Sequence, residues 1–576
     1  MRNLVLSSVV ALAVLLPGCK QPDPNAFETY IEQMNDESAR PQAVAQLESL
    51  VKTVSTMQDP EAKKARVQEF VDKVIPKLEE VWDLSMPQER TQILEMLRLL
   101  ARPEGANLWS KALVLDGSEE SRKQCLSAIQ GINAAKATGT VDALITEFDK
   151  LLENPGKDKG KREGELRLQM ATALGTLGDA KAVDILVKAL QQPEENQPVA
   201  IHRASASALG MIGDGKATDA LIVAPFRVKD AASTTDISNR SKLALTAIGE
   251  PAVPRVMDML KGAHKEVNKE AASHDVDLLI VQQTAAGILG DMRAKPAVDE
   301  LLKFMPLDGC ADPNAAEPKK KKKKKKKKKG ADDAPEIDPA KASLRAFVAR
   351  SLGFIGDEKP VEPLCSCVNS TRNPGDMDET LDALGRIGGE KALGCLLETV
   401  KTGEYDPEAV ASADFVFQVR GIAARWAVLV AAPDKLEGVK AAFAANDGNE
   451  KAKKEIAPFE SGIKLAETCK DDKDCYLKTL SDQTAEGFAR EKAAYELSRL
   501  AKGDKAVALE IAKAFKVRDP DARVTMALLA DRVMDGKKCP ECADAFQSVL
   551  DGEKGTMPPT MQLAVMTVRH TMARLR

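Results

Sequence analysis

The chain has 576 residues, with 83 lysines and arginines against 87 aspartates and glutamates, for a formal net charge of −4. Aromatic residues make up only 4% of it and long alternating β-branched runs are missing, which excludes a substantial sheet. The motifs H-E-x-x-H, G-x-S-x-G and G-x-x-x-x-G-K-(S/T) are absent, so nothing points to a zinc protease, a serine hydrolase or a P-loop nucleotide site.

The first element is a leader. Met1-Arg2-Asn3 is a short basic start, and Leu4–Leu16 is apolar but too short to span a bilayer as a helix. Leu16-Pro17-Gly18-Cys19 follows, and the whole resembles a bacterial lipoprotein signal peptide, although Pro17 departs from the usual small or β-branched residue. The resemblance implies that residues 1–18 are removed, that Cys19 is lipidated, and that 19–25 form a tether. Two or three acyl chains on one cysteine anchor a protein stably. Lys20, rather than an aspartate, follows Cys19, which implies the outer membrane.

Residues 26–160 read as helices, for example Gln92–Leu100 and Ser121–Ile132, and form degenerate or capping units. A repeated phrase then takes over. It reads Leu174-Gly175-Thr176-Leu177-Gly178-Asp179, Leu209-Gly210-Met211-Ile212-Gly213-Asp214 and Leu352-Gly353-Phe354-Ile355-Gly356-Asp357, with weaker copies ending at Gly249, Gly290 and Gly388. Most steps between these final glycines are 32 to 41 residues, the period of a two-helix solenoid unit. Within a unit, Leu168–Leu177 predicts a first helix and Lys181–Leu190 a second. Gly178 frees the backbone between them, and Asp179 caps the second. Pro251, Pro296 and Pro360 stand where later second helices start, a place at which a missing N–H costs nothing.

Gly-Asp-x-Lys-Ala-(Val/Thr)-x-x-Leu, in Gly178–Leu186 and Gly213–Leu221, resembles the short bacterial HEAT repeat, the type also found in phycobilisome-lyase-like proteins. That resemblance implies an all-α, α-α superhelical solenoid, with repeats over 161–304 and 342–446 and a degenerate continuation over 447–576. Val419–Phe443 and Glu491–Phe515 are late candidate units. The resemblance also implies surface presentation, with second helices lining a concave face. Lys181, Lys188, Lys216, Asp219, Asp299, Glu300, Glu362 and Glu398 are the candidate binding residues there.

Between the two repeat blocks, residues 305–341 carry eleven consecutive lysines, Lys319–Lys329. Like charges repel and the Pro/Gly/Asp flanks do not fold, so the insertion is expected to be disordered. Without the eleven lysines the charge of −4 becomes −15. Lys319, Lys324 and Lys329 are therefore candidate contacts for an anionic polymer or membrane, by counterion release. The run has no interleaved aromatics, which argues against sequence-specific nucleic-acid binding.

Setting Cys19 aside leaves nine cysteines, an odd number in an oxidising compartment. On one continuous helix Cys469 and Cys475 would lie about 9 Å apart along the axis, so pairing them requires a turn at Lys470–Asp474. Cys365 and Cys367 point to different sides of a helix, and one of them could reach Cys310 or Cys395 instead. Cys539-Pro540-Glu541-Cys542 reads as a structural disulfide, a redox dithiol or, together with Cys469 and Cys475, four zinc ligands. The four histidines are scattered, and only His274 stands beside an acid, Asp275. The reading as a whole is a lipid-anchored envelope scaffold for another protein, without cofactor, metal or catalytic residues. Its rivals are a dithiol redox enzyme, a lyase-like enzyme subunit and a polyanion-binding surface protein.

Overall fold

A computed structural model describes residues 23–153, 161–228, 236–305, 339–370, 374–403, 419–515, 519–552 and 559–576. Cys19, Cys310 and the lysine run with Lys319, Lys324 and Lys329 lie outside the described residues. Every regular element among the described residues is helical, and the fold is an α-α superhelix. No helix among them is long and apolar enough to cross a membrane. The chain divides into two compact units, 1–150 and 151–576.

Unit 1 contains α1 (Phe27–Gln33), α2 (Arg40–Ser55), α3 (Pro60–Glu69), α4 (Ile75–Val81), α5 (Pro87–Leu100), α6 (Ala106–Ala112) and α7 (Glu119–Ala135). α8 (Val141–Glu153) runs across the unit boundary. Ser118 caps α7 by accepting from the Ser121 amide at 3.0 Å. The left-handed residues that end α5 and α7 are Ala101 and Lys136, at φ 46° and 50°, which is why no Gly-Asp phrase marks these turns. Trp82, Trp109, Phe27 and Phe70 are buried, and the two phenylalanine rings meet edge-on at 6.0 Å.

In unit 2 the first and second helices of successive pairs are α9 (Lys161–Leu177) and α10 (Val183–Leu190), α11 (Val199–Ile212) and α12 (Thr218–Arg227), and α13 (Ile237–Ile248) and α14 (Val253–Leu260). An extra helix α15 (Lys265–Ser273) precedes α16 (Leu278–Asp291) and α17 (Val298–Leu302). Then come α18 (Pro339–Ile355) and α19 (Val361–Ser370), α20 (Pro374–Ile387) and α21 (Gly389–Thr402), and α22 (Val419–Val430) and α23 (Leu436–Ala444). Three short helices follow, α24 (Glu450–Ile456), α25 (Glu460–Cys469) and α26 (Lys473–Ser481). The last pairs are α27 (Gly487–Leu500) with α28 (Lys505–Ala514) and α29 (Pro520–Met534) with α30 (Pro540–Gly552), and α31 (Pro559–Leu575) ends the chain.

Each glycine of the repeated phrase has its own physical task. A Cβ on Gly175, Gly210 or Gly353 would stand 2.6, 2.7 or 2.7 Å from the Cα of Ala208, Ala244 or Ala383 on the next first helix. The first glycine therefore lets neighbouring first helices touch. The second, at Gly178, Gly213 and Gly356, sits at φ 70°, 74° and 72° and lets the chain leave the helix. The following aspartate then accepts an amide two residues on: Asp179 from Lys181 at 2.9 Å, Asp214 from Lys216 at 2.8 Å and Asp357 from Lys359 at 2.9 Å. Second helices stack in a parallel row, α10 on α12 on α14 and α19 on α21 on α23.

The row of first helices closes on itself. α13 touches α16, and contacts continue through α18, α20, α22, α27 and α29 to α31, which packs back on α13 and α16. α9 and α11 precede this ring as a lead-in.

Candidate functional site

The first helices of unit 2 converge on a buried ionic interior. Arg425 on α22 pairs with Glu491 on α27 and donates to Thr525 on α29 at 3.3 Å. Burial pushes the Glu491 carboxyl up to about 7, against the opposing pull of Arg425. Next to it, Lys492 is fully buried and donates to the Leu429 and Ala431 carbonyls and to Glu496, at 3.1, 2.8 and 2.6 Å. Burial lowers its pKa. Arg386 lies 5.0 Å from the Phe354 ring centre and 6.0 Å from that of Trp426, and bonds Asp382. Trp426 covers Gly385 and donates to Asp382 at 2.7 Å.

The seam between α31 and the earlier helices is polar. His570 lies 2.9 Å from the Thr246 hydroxyl and 3.5 Å from the Asp291 carboxylate, and burial lowers the His570 pKa. Asp531 on α29 stands between Arg574, at 3.0 Å, and Arg293, at 3.4 Å. Burial lowers the Arg293 guanidinium to about 10, which leaves it charged at neutral pH. Arg574 also donates to the Met292 carbonyl at 2.6 Å, Arg293 to that of Gly290 at 3.0 Å, and Arg532 to that of Arg386. These carbonyls lie at helix C-termini, where cations are favoured.

At this end of the ring, where α16, α18, α20, α22, α27 and α29 all finish, a cavity of about 780 Å³ opens. Arg293, Phe354, Tyr495, Asp531, Arg532 and Arg574 are among its lining residues.

The second-helix residues singled out from the sequence lie elsewhere. Lys181 and Lys216 are exposed at the starts of second helices. Lys188 pairs with Glu153 at 3.2 Å, Asp219 with Arg255 at 2.7 Å, and Asp299 with Lys359. Glu300 pairs with Lys303 at 2.7 Å, Glu362 with Lys391 at 2.5 Å, and Glu398 with Lys401 at 3.9 Å. Several of these pairs bridge successive units, so the row is a ladder of charges paired along its own length. The side chains that meet across unit 2 come from first helices, not from this second-helix row. The ring is tight because first helices carry the small residues that allow close approach.

Cys469 and Cys475 form a disulfide with Cα atoms 5.5 Å apart, across the turn between α25 and α26, where Lys470 takes φ 50°. Cys539 and Cys542 form a second, with Cα atoms 5.3 Å apart, at the start of α30. Four thiolates for zinc are therefore not available. Both Cys539 and Cys542 are buried, and the Cys539 amide donates to the Leu575 carbonyl at 2.7 Å, which ties α30 to the end of α31. Cys367 is disulfide-bonded, while Cys365 and Cys395 are free thiols. His274 is exposed and its Nδ1 lies 3.1 Å from the Glu270 carbonyl, at a helix end where Asp275 takes φ 56°. Among the described residues, no group of three or more His, Cys, Asp or Glu side chains could hold a metal ion.

The interior and the cavity were not singled out from the sequence. The second glycine follows the first by three residues in 175/178, 210/213, 353/356 and 385/388, and 287/290 share that spacing, but the structure makes Gly290 a first glycine and puts Arg293, at φ 56°, where the second should be. The reading of Gly290 as the end of its phrase is thus corrected. A Cβ there would stand 2.7 Å from the Ser351 Cα, as at the other first glycines. The same register puts Thr246 in a first-glycine position, ahead of Gly249.

Residues 159–224 match the family model for HEAT repeats. The chain is similar to the complex of CpcE and CpcF of phycocyanin lyase from Nostoc sp. PCC7120, at 22% identity and TM-score 0.23, over 50% of this chain and 92% of that one. It is similar to human deoxyhypusine hydroxylase in complex with glycerol, at 14% identity and TM-score 0.18, over 75% and 97%. A third likeness is to Kap121p bound to Nup53p, at 11% identity and TM-score 0.33, over 95% of this chain and 63% of that one. No curated protein matches the chain.

Proposed function

We propose that this protein is a lipid-anchored scaffold of the bacterial cell envelope, held in the outer membrane through Cys19, that binds a protein partner on its HEAT-type surface and catalyses no reaction. The observation that supports it most is the regular second-helix row, with charged side chains at each rung from Lys181 and Lys216 to Glu362 and Glu398. Exposed pairs of this kind contribute little to stability, so they are available to exchange one partner for another. Rim charges of this sort govern encounter and selectivity more than affinity. The burial of Cys539 and Cys542 favours a structural role for that disulfide over a redox one. The lysine run adds a sequence-tolerant contact for anionic lipid or polysaccharide.

Affinity capture from detergent-solubilised envelope, at two salt concentrations, tests the reading. Reversing Lys181, Lys216, Glu362 and Glu398 together should abolish capture while helical content stays the same. Cys19→Ser should move the protein from membrane to soluble fractions. Capture indifferent to all four reversals, or a Cys19→Ser variant that still labels with fatty acid, contradicts it.

A further inference from the structure

The cavity at the C-terminal end of the ring is lined by seven cationic and five anionic side chains. That is a surplus of positive charge in a chain whose net charge is negative. Two guanidiniums, of Arg293 and Arg574, share the Asp531 carboxylate, and Arg532, over the Tyr495 ring, lines the same cavity. Capping of helix carbonyls explains part of this arrangement, since each of the three arginines donates to one. It does not explain the identity of residue 293. In five sister repeats this position is a glycine at φ 70° to 75°, whereas Arg293 holds φ 56° with a Cβ. A non-glycine residue in that region persists where the surroundings impose it.

We propose that this cavity is a binding site for an organic oxyanion, seated on Arg293, Arg532 and Arg574. A guanidinium fork matches a carboxylate or phosphate in a bidentate way, and two such forks on one aspartate, with Arg532 on an aromatic ring and a carbonyl, leave charge to be neutralised. The volume of about 780 Å³ lies within the range of small-molecule pockets and exceeds what a bare ion needs. Phe354, Tyr495 and Leu528 supply an apolar wall for the rest of the ligand. None of Lys181, Lys216, Glu362 and Glu398 lines the cavity, so the site stands whether or not those residues hold a partner.

Calorimetric titration of the mature protein with citrate, inorganic phosphate and a hexaglutamate peptide tests the assignment and separates a small acid from an acidic peptide. At least one probe should bind at millimolar concentration or below, more weakly as salt rises. Arg293→Gly installs the residue of the sister repeats and should fold. It should weaken binding about tenfold or more, as expected for losing a charge-assisted contact. Lys295→Gln, at the mouth, should weaken it less, and Lys391→Gln, on the second-helix row, should leave it unchanged. If none of the probes binds the wild-type chain, or if binding survives both Arg293→Gly and Arg532→Gln with helical content intact, the site does not exist.

Discussion

From α9 to α11 and from α18 to α20, neighbouring first helices meet through a glycine laid on an alanine backbone. Where α13 and α16 meet α29 and α31, the register places hold Thr246 and Arg293, and the contacts are hydrogen bonds and ion pairs to His570, Asp531 and Arg574. The regular seams rest on close packing between consecutive repeats. The closing seam joins residues hundreds of positions apart and is made by the residues that break the repeat. A departure from a repeat consensus is here the mark of a long-range contact.

Asp531→Ala separates the two kinds of seam most sharply. It leaves Arg293 and Arg574, both largely out of solvent, without their carboxylate and should destabilise unit 2 by about 3 kcal/mol, read by chemical denaturation. A loss no larger than that of an exposed ion pair would place the closing seam in solvent.

The interior also predicts a pH dependence. The Glu491 carboxyl, pushed up to about 7 from 4.5, holds its proton in the folded chain over a range where the unfolded chain has released it. Its contribution to stability is therefore fully present below pH 4.5 and is lost as pH rises to about 7, by up to about 3 kcal/mol. Denaturation of Glu491→Gln across this range should show that slope removed. An unchanged slope would mean that Glu491 is solvated or firmly ionised.

At a regular seam the effect is steric. Gly353→Ala drives a Cβ to 2.7 Å from the Ala383 Cα and should cost about 1–3 kcal/mol. Gly394, inside α21, has nothing within 4 Å, so Gly394→Ala should stabilise by about 0.5–1 kcal/mol. Equal effects at both sites would remove the distinction between packing glycines and incidental ones.

Much of the repeat architecture was legible in the sequence, because it is local. The two glycines, the aspartate cap and the apolar faces of Val183, Ile185 and Leu186 all act within one or two turns of their own helix. The turn between Cys469 and Cys475 was legible for the same reason, as the condition for pairing them, since one continuous helix would hold them too far apart. Unit 1 was less so, because Ala101 and Lys136 make left-handed turns that no residue type announces. The ring was not legible, since its evidence lies in pairs such as Trp426 on Gly385 and Arg425 with Glu491, which no periodicity relates. Which row converges was likewise decided by packing, and the charges of the second helices carry no record of it.

Closure of the ring is tested most directly by a covalent link across its last seam. Thr246 and His570, 324 residues apart in sequence, bring side-chain atoms to 2.9 Å. The double variant Thr246→Cys, His570→Cys should form an internal disulfide under mild oxidation, found by mass spectrometry as a peptide pair joining α13 to α31 and absent from either single variant. A double variant that keeps its helical content yet yields no such pair would show that α31 does not return to α13, and that the first helices form an open row.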